Sequence, residues 1–271
     1  MKIFLKSILT NPNEIIFLAS QYLELKDLID KFIIIEPEFT HTGKSRNMVG
    51  IDKLLEICDD LNQKLEYIPL PFLKNVIHNS KDSHHNHKNE MITRGSFKDF
   101  IDLSPRDIVI STDADEILYE DYVKRALKRL RNSPNPFYAE TPYLHQFIYK
   151  DNFLAANFSF RGPSIIRAAR YIFFNYPKHW RYSGRVINEL GGCHFSWCMP
   201  LDSLIEKASI SAHKQLFIES CESSIRQRIL DDIEEKVYSF RKNKLHLLNI
   251  NNPEKIWPQK YSMVKKIMPS E

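Results

Sequence analysis

Over residues 14–132 the sequence switches repeatedly between unbroken apolar runs and segments whose apolar residues recur every three or four positions. That switching restricts the fold more than any other feature. In residues 14–30, Ile15, Leu18, Tyr22, Leu25 and Ile29 share one helical face. The KFIIIE that follows is apolar without a break, which suits a parallel strand covered on both faces, and Glu36 marks the point where the chain leaves the core. IDKLLEICDDLN fits a second helix, KLEYIPL a strand, NEMITRGSFKDFIDL a helix apart from Gly95, and RDIVIST another strand. YEDYVKRALKRLRN then places Tyr119, Tyr122, Val123, Ala126, Leu127 and Leu130 on one face of a helix. The alternation predicts an α/β layer with a mostly parallel central sheet flanked by helices, with ligands gathered at the carboxyl ends of the strands.

Beyond Asn132 the pattern changes to a mixed one. NPFYAETPYLHQFIYK and GPSIIRAARYIFF have the aromatic and β-branched content of strands, punctuated by Pro and Gly. A late helix carries Ile225, Ile229, Ile233 and Val237 at intervals of four, and NNPEKIWPQKYSMVKKIMPSE reads as a poorly structured tail. The expected organisation is one domain over residues 1–245, with a nucleotide-binding half to about residue 132 and an acceptor-side half from about 133, then a tail over 246–271.

A net charge of +4 on 271 residues, with both signs interspersed, carries no nucleic-acid stripe, and no partner of that class is expected. The amino terminus has no long apolar segment and no small-residue cleavage site, so the expected location is cytoplasmic, without a transmembrane segment and with peripheral membrane contact left open. Cys58, Cys193, Cys198 and Cys221 are few and irregularly spaced, as ordinary reduced cysteines are.

Asp113, Asp115, Glu116 and Glu120 stand just after the strand RDIVIST. Two aspartates one residue apart on a turn can aim their oxygens at one point, where a hard cation such as Mn2+ or Mg2+ would hold a diphosphate. Aspartates at a helix start can equally be caps. Strand context narrows the odds between the two.

DKFIIIEPEFTHTGKSR, NEMITRG, RDIVISTDADEI and GGCHFSWCM, followed by IEKASISAHKQ, resemble in sequence and order the blocks of the family-17 glycosyltransferases, whose best-known members add the bisecting N-acetylglucosamine to glycoproteins. The resemblance implies a GT-A type nucleotide-sugar fold and an inverting transfer from a UDP-sugar, UDP-N-acetylglucosamine first among them, with Mn2+ or Mg2+ bound. It implies Asp115 as the stronger metal ligand, with Asp113 split between metal and ribose. The animal members carry an amino-terminal anchor and stem that this sequence lacks, Leu118 stands where a proline often follows the motif, and Cys193 replaces a usual tryptophan. These departures leave the donor in place and shift the expected acceptor to a microbial or viral glycan or a lipid-linked one.

The remaining candidates are weighed beside it. Glu36, the hydroxyls of Thr40 and Thr42, the flexible Gly43 and the cation Lys44 form a set for a base, ribose or diphosphate, or simply a polar turn. Glu90 and Arg94, at i and i+4, share a helix face as a surface pair or, as the family implies, lie near the donor. His194, after two glycines that allow close backbone approach, and His213 are rivals for completing the metal shell. Phe195 and Trp197 are either core or a sugar platform. His78, His84, His85 and His87 read as a surface loop, with adventitious metal binding or a lid as alternatives. For the carboxylate that deprotonates the acceptor, Glu189 is the first choice, with Asp202 and Glu140 behind it. Two other classes compete: a metal-dependent phosphoryl or nucleotidyl transferase, and a non-catalytic glycan-binding protein on the same fold.

Overall fold

The computed structural model describes residues 1–71, 76–77, 83–174, 185–210, 222–240 and 244–268. Four strands build the parallel part of one sheet: β1 (Ile3–Ile8), β2 (Lys31–Pro37), β3 (Leu65–Leu70) and β4 (Ile108–Ser111), in the spatial order β4-β1-β2-β3. Helix α1 (Ile15–Leu25) connects β1 to β2, α2 (Asp52–Ile57) lies between β2 and β3, and α3 (Ser83–Gly95) lies between β3 and β4. Connections of this length return each strand in the same direction as the last.

The uninterrupted apolar run of β2 is explained by its two covered faces. Phe32 and Ile34 point into a core shared with Leu18 and Tyr22 of α1, whereas Ile33 and Ile35 join Phe4, Val109, Phe97 and Tyr171 on the other side. Each such buried side chain contributes about 1.5–3 kcal/mol over its exposed state. Helix α4 (Glu120–Asn132) buries Tyr122, Val123, Ala126, Leu127 and Leu130, the face read from its spacing.

The sheet is mixed, not mostly parallel. Past β5 (Glu116–Leu118), strands β6 (Ala139–Ile148) and β7 (Lys150–Arg161) are separated by Tyr149 alone, in the left-handed region at φ 65°, so they form an antiparallel hairpin. β8 (Ser164–Arg167) runs antiparallel to both β4 and β6. β9 (Arg185–Ser196) lies parallel to β6 and antiparallel to β5. β10 (Val237–Tyr238) and β11 (Leu245–Asn249) extend the far edge beyond β7. The short α5 (Ala169–Phe173) follows β8, and α6 (Leu201–Ile210) and α7 (Glu222–Glu235) follow β9. Val237, grouped with the late helix by its spacing, instead begins β10.

Further elements differ from or add to the sequence reading. The opening MKIFLKSI, given no element from its sequence, holds strand β1, and its Lys6 is buried, donating to the Arg94 carbonyl at 3.2 Å and lying 5.7 Å from the Phe97 ring centroid. The tail is ordered as α8 (Gln259–Ile267): Tyr261 and Val264 are buried, and Tyr261 stacks on Phe195 of β9 with centroids 4.3 Å apart. His84, His85 and His87 lie on α3 rather than in a loop, while His78 and Cys221 fall outside the described residues. No described helix is long and apolar enough to cross a membrane.

Candidate active site

Asp113, Ala114 and Asp115 occupy the turn between β4 and β5, at the carboxyl end of β4. The turn is fixed from below by Gln21 of α1, whose amide donates to the carbonyls of Asp113, Ala114 and Glu116 at 2.6, 2.8 and 2.9 Å and accepts from Thr112 at 3.2 Å. Glu116 closes it by accepting the Asp113 N–H at 2.9 Å. The Asp115 carbonyl accepts from the Phe195 N–H at 2.8 Å, which ties the turn to β9.

The two aspartates face different cations. Arg94 grips Asp113 bidentately, Nη1 to Oδ1 at 2.5 Å and Nη2 to Oδ2 at 2.9 Å, while its Nε donates to Glu90 at 3.0 Å. Glu90 also meets His87 Nδ1 at 3.1 Å. Burial alone would raise the Glu90 pKa; Arg94 and His87 outweigh it and hold the carboxyl well below the usual range. Asp115, itself buried, has Lys207 of α6 at 3.2 Å from Oδ2 and His194 Nε2 at 3.5 Å from Oδ1. Its burial likewise raises its pKa, and Lys207 with His194 overcomes that and keeps it ionised. Lys207, half-buried, is held protonated by Asp115 and Glu14.

Glu14, Gln21 and Lys207 were missed from the sequence. Glu14 is a buried carboxyl bonded by Thr10 and Asn11, and burial raises its pKa although Lys207 opposes the shift. The only local signal for it is the capping box it makes with Asn11. Gln21 and Lys207 lie 92 positions from the residues they hold, and no local pattern marks them.

The other candidates fall into separate places. Glu36 is fully buried and anchors a loop, accepting from Arg46 at 2.9 Å, Gly50 N at 3.1 Å, Tyr67 at 2.8 Å and also Val49 N. Thr40 and Thr42 bond each other at 2.9 Å within a tight turn closed by Gly43 at φ 74°, with Lys44 exposed. Glu140 is buried against Tyr122, Arg129 and Tyr138, and Glu189 pairs with Arg125 and Arg129. Glu189 precedes His194 by five residues in β9, roughly 16 Å of extended strand, and Glu140 stands six residues before Gln146, the β6 partner of His194, so neither carboxylate is brought to Asp115. Asp202 starts α6 with its side chain 84% exposed and paired to Arg226. His213 lies outside the described residues.

The glycine pair does permit close approach, but of protein to protein. A Cβ on Gly192 would fall 2.2 Å from the Ile117 carbonyl oxygen and one on Gly191 2.6 Å from Pro142. Phe195 stacks on Phe17, Phe147 and Tyr261, and Trp197 on Phe240, so both are core.

Among the described residues no group of three His, Cys, Asp or Glu side chains converges on one point. Asp115 and His194, whose Nε2 lies 3.5 Å from Asp115 Oδ1, are the two groups of the described residues here that could share a divalent cation. The symmetric Asp113 and Asp115 pair does not fit, because Arg94 takes both oxygens of Asp113.

No curated protein matches the chain. Solved structures similar to it include a CMP-2-keto-3-deoxy-manno-octonic acid synthetase in complex with CTP, at 8% identity and a TM-score of 0.41 over 86% of this chain and 100% of that one. Residues 1–349 of TarS from S. aureus follow at 13% identity and 0.38, covering 87% and 71% of the two chains. Mouse xyloside xylosyltransferase 1 gives 9% and 0.34, covering 70% and 79%. None of these likenesses is close enough to bear on the chemistry. A family model is decisive: that of glycosyltransferase family 17 matches residues 2–233, and the chain belongs to that family.

Proposed function

We propose that the chain transfers a sugar, N-acetylglucosamine first among the candidates, from a UDP-sugar to a glycan or lipid-linked acceptor on a GT-A type fold. Family membership supports sugar transfer in general. The observation that carries the finer reading is the buried, ionised Asp115 beside His194 and Lys207 at the carboxyl end of β4. Such a cluster suits a diphosphate: Lys207 is a half-buried cation, and partial desolvation strengthens its attraction for charge that develops on a leaving group. A Mn2+ or Mg2+ ion held by Asp115 and His194 would neutralise diphosphate charge there.

Arg94 acts indirectly in this reading. Pinned between Glu90 and Asp113, it fixes the Asp113 side of the turn, so that the turn presents Asp115 in one orientation. The turn at Thr40 to Lys44, after β2 and braced by the Thr40–Thr42 hydroxyl pair, brings the exposed cation Lys44 to the same carboxyl end of the sheet. Glu189 and Glu140 have no part, each being committed to arginines of α4.

The test is product identity. Incubation with a panel of UDP-sugars and Mn2+ should release UDP, fastest from the cognate donor, by slow hydrolysis even without acceptor. Release of pyrophosphate from a nucleoside triphosphate, with no UDP from any UDP-sugar, would overturn the proposal in favour of nucleotidyl transfer.

A further inference from the structure

A cavity of about 1120 Å³ opens between α1, α6, α7 and α8, apart from the turn that holds Asp115. Its walls are of two kinds. Ile16, Leu201 and Trp257 give it a partly exposed apolar wall, and the lysines Lys53 and Lys150 of its lining are exposed. A third lysine, Lys265, is neutralised by Asp151, which also accepts from the Tyr261 hydroxyl at 3.0 Å and, through its carbonyl, from Trp257 Nε1 at 2.8 Å. Asp151 is the single acid in the lining. Neither Lys53 nor Lys150 has a carboxylate partner among the described residues, Lys150 lying 5.2 Å from the Phe153 ring centroid, so the lining keeps two positive charges that no acid offsets.

Two observations join the cavity to the site. Leu204 of its wall lies three residues before Lys207 on α6, and Lys207 bonds Asp115. Asn13, also in the wall, donates to Ser203 of α6 at 2.7 Å and immediately precedes the buried Glu14. Beside the cavity, α8 exposes Met263 and Ile267, one turn apart and 43% and 60% accessible, next to Lys266. Exposed apolar residues flanked by lysines suit the boundary of an anionic lipid surface.

We propose that this cavity binds an amphiphile with an anionic head, the alkyl part against Ile16, Leu201 and Trp257 and a phosphate drawn by the positive charge of Lys53 and Lys150. Resting on the glycosyltransferase reading of the neighbouring site, it is where a lipid-phosphate acceptor enters. Neutral glycans lack the charge that the lysines select, and a free phosphate lacks the chain that the apolar wall needs.

Calorimetry on the full chain tests this with dodecyl phosphate below its micelle concentration, dodecyl maltoside and inorganic phosphate. Dodecyl phosphate should bind saturably, at least tenfold more tightly than dodecyl maltoside, with no measurable binding of inorganic phosphate. Lys53→Glu with Lys150→Glu should weaken it tenfold or more, and Asn251→Trp, which narrows the exposed mouth, should weaken both amphiphiles. Absence of saturable binding, equal affinity for the two amphiphiles, or an affinity indifferent to charge reversal would overturn the proposal. UDP titrated into the same proteins separates the two ideas: UDP binding should be unchanged in these variants, and its absence from the wild type would count against the donor site alone.

Discussion

The Lys207 ammonium lies 3.2 Å from Asp115 Oδ2, in a contact that joins α6 to the turn after β4. Asp115 is held ionised in the folded chain at a pH where it would be protonated when unfolded. The contact therefore stabilises the fold above the unfolded aspartate pKa of about 3.9, and that contribution is lost as pH falls through and below this value. Lys207→Met should cost about 3 kcal/mol at pH 7, because it leaves a buried charge without its partner. The difference from wild type should shrink at pH 3. Urea midpoints at the two pH values measure it, and an equal difference at both would show that the pair does not carry the effect.

Gln21→Leu keeps the volume of the side chain and removes the donor shared by three carbonyls. Buried acceptors left unpaired cost about 1–3 kcal/mol each, and the turn can recover part of this by relaxing, so a net loss of about 3 kcal/mol is expected. UDP affinity should fall at least tenfold through the displaced Asp115. Chemical denaturation with calorimetry reads both, and a variant of wild-type stability would remove Gln21 from its positioning role.

Gly192→Ala should be poorly tolerated, because its Cβ has only 2.2 Å to the Ile117 carbonyl oxygen, a backbone atom that cannot rotate away. Separating β5 from β9 should cost at least 3 kcal/mol, at the upper end of overpacking penalties. Thermal melting would show it. A variant melting within a degree or two of wild type would mean that β5 and β9 can part without loss.

Arg94→Lys keeps the charge but cannot reach Glu90 and both oxygens of Asp113 at once. UDP binding should weaken about tenfold while the fold loses only about 1–2 kcal/mol. Unchanged binding would show that the orientation of Asp113 does not matter to the donor.

What the sequence disclosed follows from the range of each interaction. The β2 run and the α4 stripe were legible because burial on two faces and on one face leave periods of their own in consecutive residues. The position of Asp115 at a strand end was legible for the same reason. Lys207 and Gln21 were not, since each acts across 92 residues, and β1 was hidden by Lys6, whose burial depends on a carbonyl and a ring from the region of α3. The glycine pair signalled close approach without saying to what, and only the pairing of β5 with β9 identifies the neighbour. The tail was misread because α8 shows only two buried residues, too few for a periodic signal.

The central claim is that Asp115 anchors a nucleotide-sugar donor through a divalent cation. Calorimetric titration of UDP-N-acetylglucosamine into wild type and Asp115→Asn, with and without Mn2+, tests it most directly. Saturable binding to the wild type that needs Mn2+ and is abolished by the substitution is the predicted result. Mn2+-dependent binding of equal affinity to both proteins, or no binding to either, would contradict it.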